Sequence, residues 1–380
     1  LAALALVSPL LGQFSDTPRR RIQLPNGALI LVEQMPKAKR LSVCLAVSAV
    51  GTYDTPKTHG YRHLLEHLIA KGSREDLDAR LESAGSLLTA QTQRDLMLFQ
   101  VDVSNEQLDI ALRAVLEMAR PSPITVDRIA KEVRIIGQEI ALKEADRELS
   151  GAGWRAGFGD ARLEPLGDLA TMATATPEGL SDLHERMFSA SNLVVSVAGN
   201  IDADRAMKVA VGLFSPLLKG GKADRISEPK WMPGRVTADA YGDARCALIP
   251  PLSNPKSVWT LAAGLAVAAG LSDGFVTMTP SPRTGLIAVG QTGDRVGANL
   301  AFDEANGTSL FALGRRLARS WVASQTGTPS ALARIKAVLA VGGGRPEMLG
   351  EALDQMTYED FVKGLAAFRR EDSVVVVGDR

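Results

Sequence analysis

Apolar residues form short blocks at 21–24 and 28–33, and Pro25-Asn26-Gly27 stands between them. Asn-Gly between two such blocks predicts a β-hairpin. A third strand is expected over 41–50, where β-branched and apolar residues alternate with small ones. The period then changes. Residues from about 60 onward read as a helix, and 73–83 as a second one with Ser73 as N-cap. Strand character returns over 87–103, interrupted at Asp95. Apolar residues at three- and four-residue spacing predict helices over 105–119 and 125–147. A further helix over 176–188 is opened by Thr-Pro-Glu, and a strand over 193–198 precedes a helix over 202–214.

Residues 218–235 are rich in Gly, Lys and Pro and carry no period, which reads as a linker. A shorter version of the same order follows. Strands are expected over 244–249 and 285–290, and helices over 257–271, 309–323, 329–341 and 358–369. A terminal strand is expected over 373–377. Both halves close on a Val-rich strand, the first ending in Gly199-Asn200 and the second in Gly378-Asp379. An internal duplication explains this, and 380 residues are too many for one ordinary core. The expected fold is α+β: two tandem homologous domains, each an antiparallel-rich sheet packed with helices, the second shortened. The divisions expected are 18–216 and 237–380 as domains, 217–236 as linker, and 1–17 as a possible signal-peptide remnant.

Composition narrows the function. Hydrophobic content of 46% and charged content of 23% are those of a globular chain, and 43 acidic residues balance 43 basic ones. No net field favours nucleic acid, and no stretch is long and apolar enough to be read as a membrane span. Residues 1–11 suit the apolar core of a secretory signal, which favours a periplasmic or secreted setting over a cytoplasmic one. Cys44 and Cys246 lie far apart in apolar strands and read as buried hydrophobes.

The chemistry concentrates in His59-Gly-Tyr-Arg-His63-Leu-Leu-Glu66-His67, which holds three of the chain's four histidines. On a helix His63 and His67 lie on one face, a turn apart, with Glu66 at its border. Two imidazoles beside a carboxylate suit a catalytic zinc and a base for its water. The spacing H-x-x-E-H is the inverted form of a common zinc signature. A carboxylate is the natural third ligand. The helix over 125–147 offers Glu132 and Glu139 on one face, among Val133, Ile135, Ile136 and Ile140.

These residues resemble the pitrilysin family of inverzincin metallopeptidases, which includes insulin-degrading enzyme and mitochondrial processing peptidase. The resemblance rests on Gly60-x-x-His63-x-x-Glu66-His67 with Lys71-Gly72-Ser73, and on Gly85, Ala90, Thr92 and Asp95. Glu132 with Glu139, Pro165-Leu166-Gly167 and the strand from Asn192 to Gly199 complete it. It is close over residues 20–215 and weak over 240–380. It implies a zinc endopeptidase holding one Zn2+ per chain, with His63, His67 and Glu139 as ligands and Glu66 as general base. Glu132 would orient a ligand histidine. Substrate would add as a strand along Leu88, Thr89, Ala90, Gln91 and Thr92.

The chain also departs from the family. Thr89 stands where Asn is usual, Met97 and Phe99 replace a Thr and a Tyr, and Ala70 replaces a common Phe. The Arg–Tyr pair that holds substrate in self-sufficient members is missing from 265–279, a region that looks deleted. The resemblance therefore points to a zinc-bearing subunit acting on extended or unfolded peptides, paired in a heterodimer with a subunit carrying the Arg–Tyr pair, or in a homodimer. The alternatives are a non-catalytic structural subunit and a peptide-binding module of the same fold.

Overall fold

The computed structural model describes residues 19–49, 53–142, 145–220, 230–293 and 307–379. The apolar stretch 1–11 and the possible signal remnant 1–17 lie outside them. Strands β1 (Arg19–Gln23) and β2 (Leu29–Gln34) form the expected hairpin. Gly27 turns it at φ 97°, and the Asn26 amide donates to the Phe214 and Leu217 carbonyls at 2.9 and 3.1 Å. Four further strands complete the first sheet: β3 (Arg40–Ser48), β4 (Leu87–Thr92), β5 (Leu96–Ser104) and β6 (Leu193–Gly199). Their order is β1-β2-β6-β3-β5-β4, so β4 lies at an edge.

Alternation along the strands gives this sheet two buried faces. Ile30, Val43, Leu45, Phe99 and Val101 point to one, against helices α1 (Tyr61–Ala70), α2 (Leu77–Ser83), α3 (Leu108–Ala119) and α8 (Ala203–Phe214). Leu29, Leu31, Cys44, Ala46 and Leu98 point to the other. That second face is covered by α11 (Pro329–Val341), a helix from the far half of the chain that packs along β3 and β6.

The second sheet holds β7 (Gly234–Ala238), β8 (Asp243–Ile249), β9 (Gly274–Met278), β10 (Gly285–Gln291) and β11 (Val374–Gly378), in the order β7-β11-β8-β10-β9. Strand for strand this repeats β2-β6-β3-β5-β4, including the one parallel pair, β2 with β6 and β7 with β11. The duplication expected from the two Val-rich closing strands is therefore present in the sheet topology. By this correspondence α9 (Lys256–Ala268) takes the place of α1. Its sequence KSVWTLAAGLAVA has no histidine or acid, and its Val258, Leu261, Ala262 and Ala266 are core residues. Five residues, 269–273, join it to β9, where the first half spends sixteen, including α2, between α1 and β4.

The helix expected over 125–147 is two helices. The first, α4, spans Val126–Ile140; the second, α5, spans Ala145–Phe158 and crosses to the second sheet. The periodicity hid this because α5 buries small residues against strands. A Cβ on Gly153 would lie 2.3 Å from the Cys246 sulfur, so only glycine lets α5 approach β8 so closely. Each half thus lends one helix to the other's sheet, α5 one way and α11 the other.

Smaller differences have local causes. Helix α2 starts at Leu77 with Asp76 at its N-cap, not at Ser73. Gly72 and Glu75 take left-handed turns at φ 74° and 58°, and Ser73 donates through its backbone N and its hydroxyl to Glu117, each at 3.1 Å. β7 begins inside the stretch read as linker. β9 (in part), α12 (Glu347–Gln355) and the short α6 (Leu169–Met172) carry too little pattern to be read in advance. Helices α7 (Pro177–Met187), α10 (Gly307–Thr326) and α13 (Tyr358–Ala366) stand close to where they were expected.

Candidate metal centre

Helix α1 carries the H-x-x-E-H residues and is fixed at both ends. At its start Gly60 is left-handed at φ 95°, and its N–H donates to Asp54 at 3.2 Å. The next turn holds Arg62, whose side chain is 2% exposed; it faces Asp54 at 3.6 Å and donates to the Gln93 carbonyl at 2.8 Å. At the other end Arg128 of α4 donates to the Leu68 and Gly72 carbonyls at 2.7 and 3.3 Å. This last contact also sets α4 across α1, which brings Glu132 and Glu139 over the histidines.

A third support comes from the loop at 164–168. Gly167 (φ 86°) packs against Gly60, and a Cβ on it would lie 2.4 Å from the Gly60 Cα. That close approach places the Leu166 carbonyl 3.0 Å from His63 Nδ1 and the Glu164 carbonyl 2.9 Å from His59 Nε2. His59 is thereby occupied away from the cluster.

The side chains of His63, His67 and Glu139 converge, with one ligand atom of each within 4.8 Å of the others. Glu139 oxygens stand 3.4 Å from His63 Nε2 and 3.5 Å from His67 Nε2. Both Nδ1 atoms face acceptors, His63 toward Leu166 and His67 toward Glu132 Oε2 at 3.1 Å. An acceptor at Nδ1 places the proton there and turns the Nε2 lone pair toward Glu139. Glu132 is 3% exposed and Glu139 is the more open, its side chain 44% exposed.

Glu66 lies beside this cluster, buried, and accepts from the Thr92 hydroxyl at 2.6 Å. Burial pushes its carboxyl up, and nearby Glu139 adds to this, while Thr92 and the two imidazoles pull the other way; the net direction is up. Burial acts to lower His67, but the hydrogen bond to Glu132 and the charges of Glu139 and Glu66 outweigh it and raise that imidazole.

The cluster opens into a cavity of about 880 Å3 between the two halves. Ala90, Gln91 and Thr92 of β4 line it, together with α5, α10, α11 and the end of β9. Of the residues expected to bind substrate, Leu88 and Ala90 also pack against the core, and Thr92 is the one bonded to the motif helix. Met97 and Phe99 are fully buried core residues.

The supports carry no distinctive signal in the sequence. Asp54, Arg62 and Arg128 are common residue types, and only the burial of charges such as Arg62 and Asp54 marks them. The sequence marks Asp95 as an interruption of a strand but carries no sign of its setting. It is an ion-pair partner of Arg162 and accepts from Ser281 at 2.5 Å and Tyr53 at 3.2 Å, which ties the β4–β5 turn to the second half.

Comparison with known proteins agrees with this architecture. Residues 29–156 match the family described as insulinase (peptidase family M16), and residues 174–244 match the peptidase M16 inactive domain. The chain belongs to peptidase family M16, the insulinase or pitrilysin family. Among curated proteins it is 28% identical over 210 residues to an uncharacterized zinc protease of Rickettsia felis, covering 53% of this chain and 51% of that one. A Streptomyces coelicolor uncharacterized zinc protease is 26% identical over 239 residues, covering 59% and 50%. The chain spans about half the length of the curated relatives it matches.

Solved structures share the fold. A protease from Helicobacter pylori superposes with TM-score 0.81 at 14% identity, over 96% of this chain and 100% of that one. The periplasmic protease PqqL of Escherichia coli gives TM-score 0.73 at 16% identity, over 95% of this chain and 47% of PqqL.

Proposed function

We propose that this chain is a zinc-dependent endopeptidase subunit that hydrolyses extended or unfolded peptides. The observation that carries the reading is the convergence of His63 Nε2, His67 Nε2 and a Glu139 oxygen, with buried Glu66 alongside. The donor set suits zinc: two imidazoles whose other nitrogens are already engaged, and one open carboxylate. His63, His67 and Glu139 would hold the ion, and Glu132 would orient His67. When bound, zinc supplies Lewis acidity at the scissile carbonyl. Glu66 takes the proton of the attacking water and passes it to the leaving amine. Burial raises its proton affinity, and the Thr92 hydroxyl fixes which oxygen stays free.

The substrate reading rests on β4. It is an edge strand, its residues alternate between exposed and half-buried, and among the described residues nothing pairs with its outer side. A peptide adding there would run past Thr92 and so past Glu66. Division into domains 18–216 and 237–380 belongs to the same proposal, with each half lending a helix to the other.

Pairing is supported by the match to 47% of PqqL, which leaves room for a second unit of this size, and by α9, which offers no polar residue to the cavity. A periplasmic or secreted setting is supported by the description of PqqL as periplasmic. Among the described residues no helix is long and apolar enough to cross a membrane.

The test is peptide hydrolysis by the purified chain, alone and with a candidate second subunit, with and without a chelator. Glu66→Gln is expected to abolish hydrolysis while bound zinc, measured by elemental analysis, stays at one per chain. Hydrolysis that survives both chelation and Glu66→Gln would refute the reading. A chain that binds peptide and zinc yet cleaves nothing with any partner would be a non-catalytic subunit.

A further inference from the structure

Arg334 stands on α11 and lines the same cavity as His63, Glu66 and His67. It is half-buried, and among the described residues it has neither a hydrogen bond nor an ion pair. Arg94, which shares the cavity, is by contrast fully engaged. It donates to Glu164 at 2.5 Å and lies over the Trp154 ring at 4.1 Å. On α10 and α11 the same cavity is lined by Trp321, Gln325, Ile335 and Val338. A half-buried guanidinium with no bonded anion gives up part of its hydration uncompensated, which a ligand carboxylate would relieve.

Strand geometry says which part of a ligand could reach it. Leu88 and Ala90 face the α1 side of the first sheet, as Thr92 does through Glu66. Thr89 and Gln91 therefore face the α11 side, and their partners across the ladder are Gln100 and Leu98. Leu98 belongs to the core under α11, and Gln100 donates to the Ser330 carbonyl at 2.9 Å, one helical turn before Arg334. Arg334 is also near enough to Cys44, the neighbour of Gln100 on β3, for its charge to act on that thiol. A peptide paired with β4 sends alternate side chains toward α1 and toward α11.

We propose that Arg334 binds a carboxylate of the peptide substrate, so that the enzyme selects peptides that present an acidic group toward α11. The inference rests on the peptidase reading and on strand addition to β4. Arg's planar fork suits a bidentate carboxylate, and partial burial of the guanidinium strengthens the pair. Two sources share this chemistry, an Asp or Glu side chain and a C-terminal carboxylate.

The experiment uses internally quenched decapeptides in which one Glu is moved through every position, each with a Gln counterpart, as free acids and as C-terminal amides. They are assayed with the zinc-loaded protein, paired with its partner where activity needs one. At one position, or at positions two apart, Glu is expected to exceed Gln in kcat/KM about tenfold, the order of one charge-assisted hydrogen bond. Arg334→Gln should bring that ratio to about one. Arg155→Gln, at an exposed arginine of the same cavity, should leave the ratio near ten.

If instead the free acids exceed the amides about tenfold whatever the position of Glu, and Arg334→Gln removes that excess, the carboxylate is the C-terminal one and the Arg334 assignment holds. A wild type that prefers neither Glu over Gln nor free acid over amide, or a preference unmoved by Arg334→Gln, overturns the proposal while leaving the peptidase reading intact. Fluorescence anisotropy of labelled Glu and Gln peptides on the Glu66→Gln protein separates the converse case. An Arg334-dependent preference in binding, with no cleavage by the wild type, would keep the carboxylate site and reject the peptidase.

Discussion

At the scale of single residues, the candidate centre depends on which nitrogen of each imidazole is left free. Glu132 decides this for His67 from a buried position. Glu132→Ala is expected to weaken zinc binding by about 10- to 100-fold, the usual cost of removing a carboxylate behind a ligand histidine. Competition with a chromogenic chelator measures it. An unchanged affinity would show that His67 is oriented by something else.

The fourth histidine has a different role. His184 is 4% exposed and stacked on Phe188 at 4.4 Å, and burial lowers its pKa from 6.5 to about 4. Between those values the unfolded chain binds the proton and the folded chain does not, so stability falls as pH drops through that window. The loss should approach about 3 kcal/mol by pH 4. Denaturant titrations of wild type and His184→Phe should diverge below pH 6.5, with the variant showing the flatter acid limb. At this scale the sequence was readable where residue types are rare, as in His63-x-x-Glu66-His67. It was silent where common residues act through burial, as with Arg62, Asp54 and Arg128.

At the scale of elements, the centre is assembled by close approaches that a hydrophobic pattern does not encode. Periodicity found α1 and α4, because each has one apolar face. It ran α4 on into α5, because it does not register which sheet a helix packs on. Gly167 shows how much rests on such contacts. With φ 86° and the Gly60 Cα in the way, Gly167→Ala must move the loop that presents the Leu166 carbonyl to His63. A loss of about 1–3 kcal/mol is expected, the range for strained backbone positions. A lowered Tm together with weaker zinc binding would show that loop and centre are coupled. A lowered Tm with normal zinc affinity would mean that the loop supports the fold alone.

At the scale of the whole molecule, the exchange of α5 and α11 makes neither half complete. Without α11 the second face of the first sheet, with Leu29, Leu31, Cys44 and Leu98, would lie bare; without α5 so would Ala244, Cys246 and Leu286. Polar contacts follow the same seam. Lys336 of α11 donates to Glu33 of β2 at 2.5 Å, both buried, and Arg19 adds a second contact to Glu33 at 3.3 Å. The duplication could be read from the repeated Val-rich strands, but this interleaving could not, since it depends on contacts hundreds of residues apart. The expected consequence is a single cooperative unfolding transition by calorimetry, although the sheets are formed by separate stretches of chain. Lys336→Met should lower that whole transition, because it leaves the buried Glu33 carboxylate with Arg19 alone. The cost should be a few kcal/mol, at most the ~3–5 kcal/mol of breaking a fully buried pair. The double change Glu33→Gln with Lys336→Met should recover part of the loss, since no unpaired charge then remains. Two resolved transitions, with Lys336→Met moving only one, would show instead that the halves unfold independently and that the exchanged helices couple them weakly.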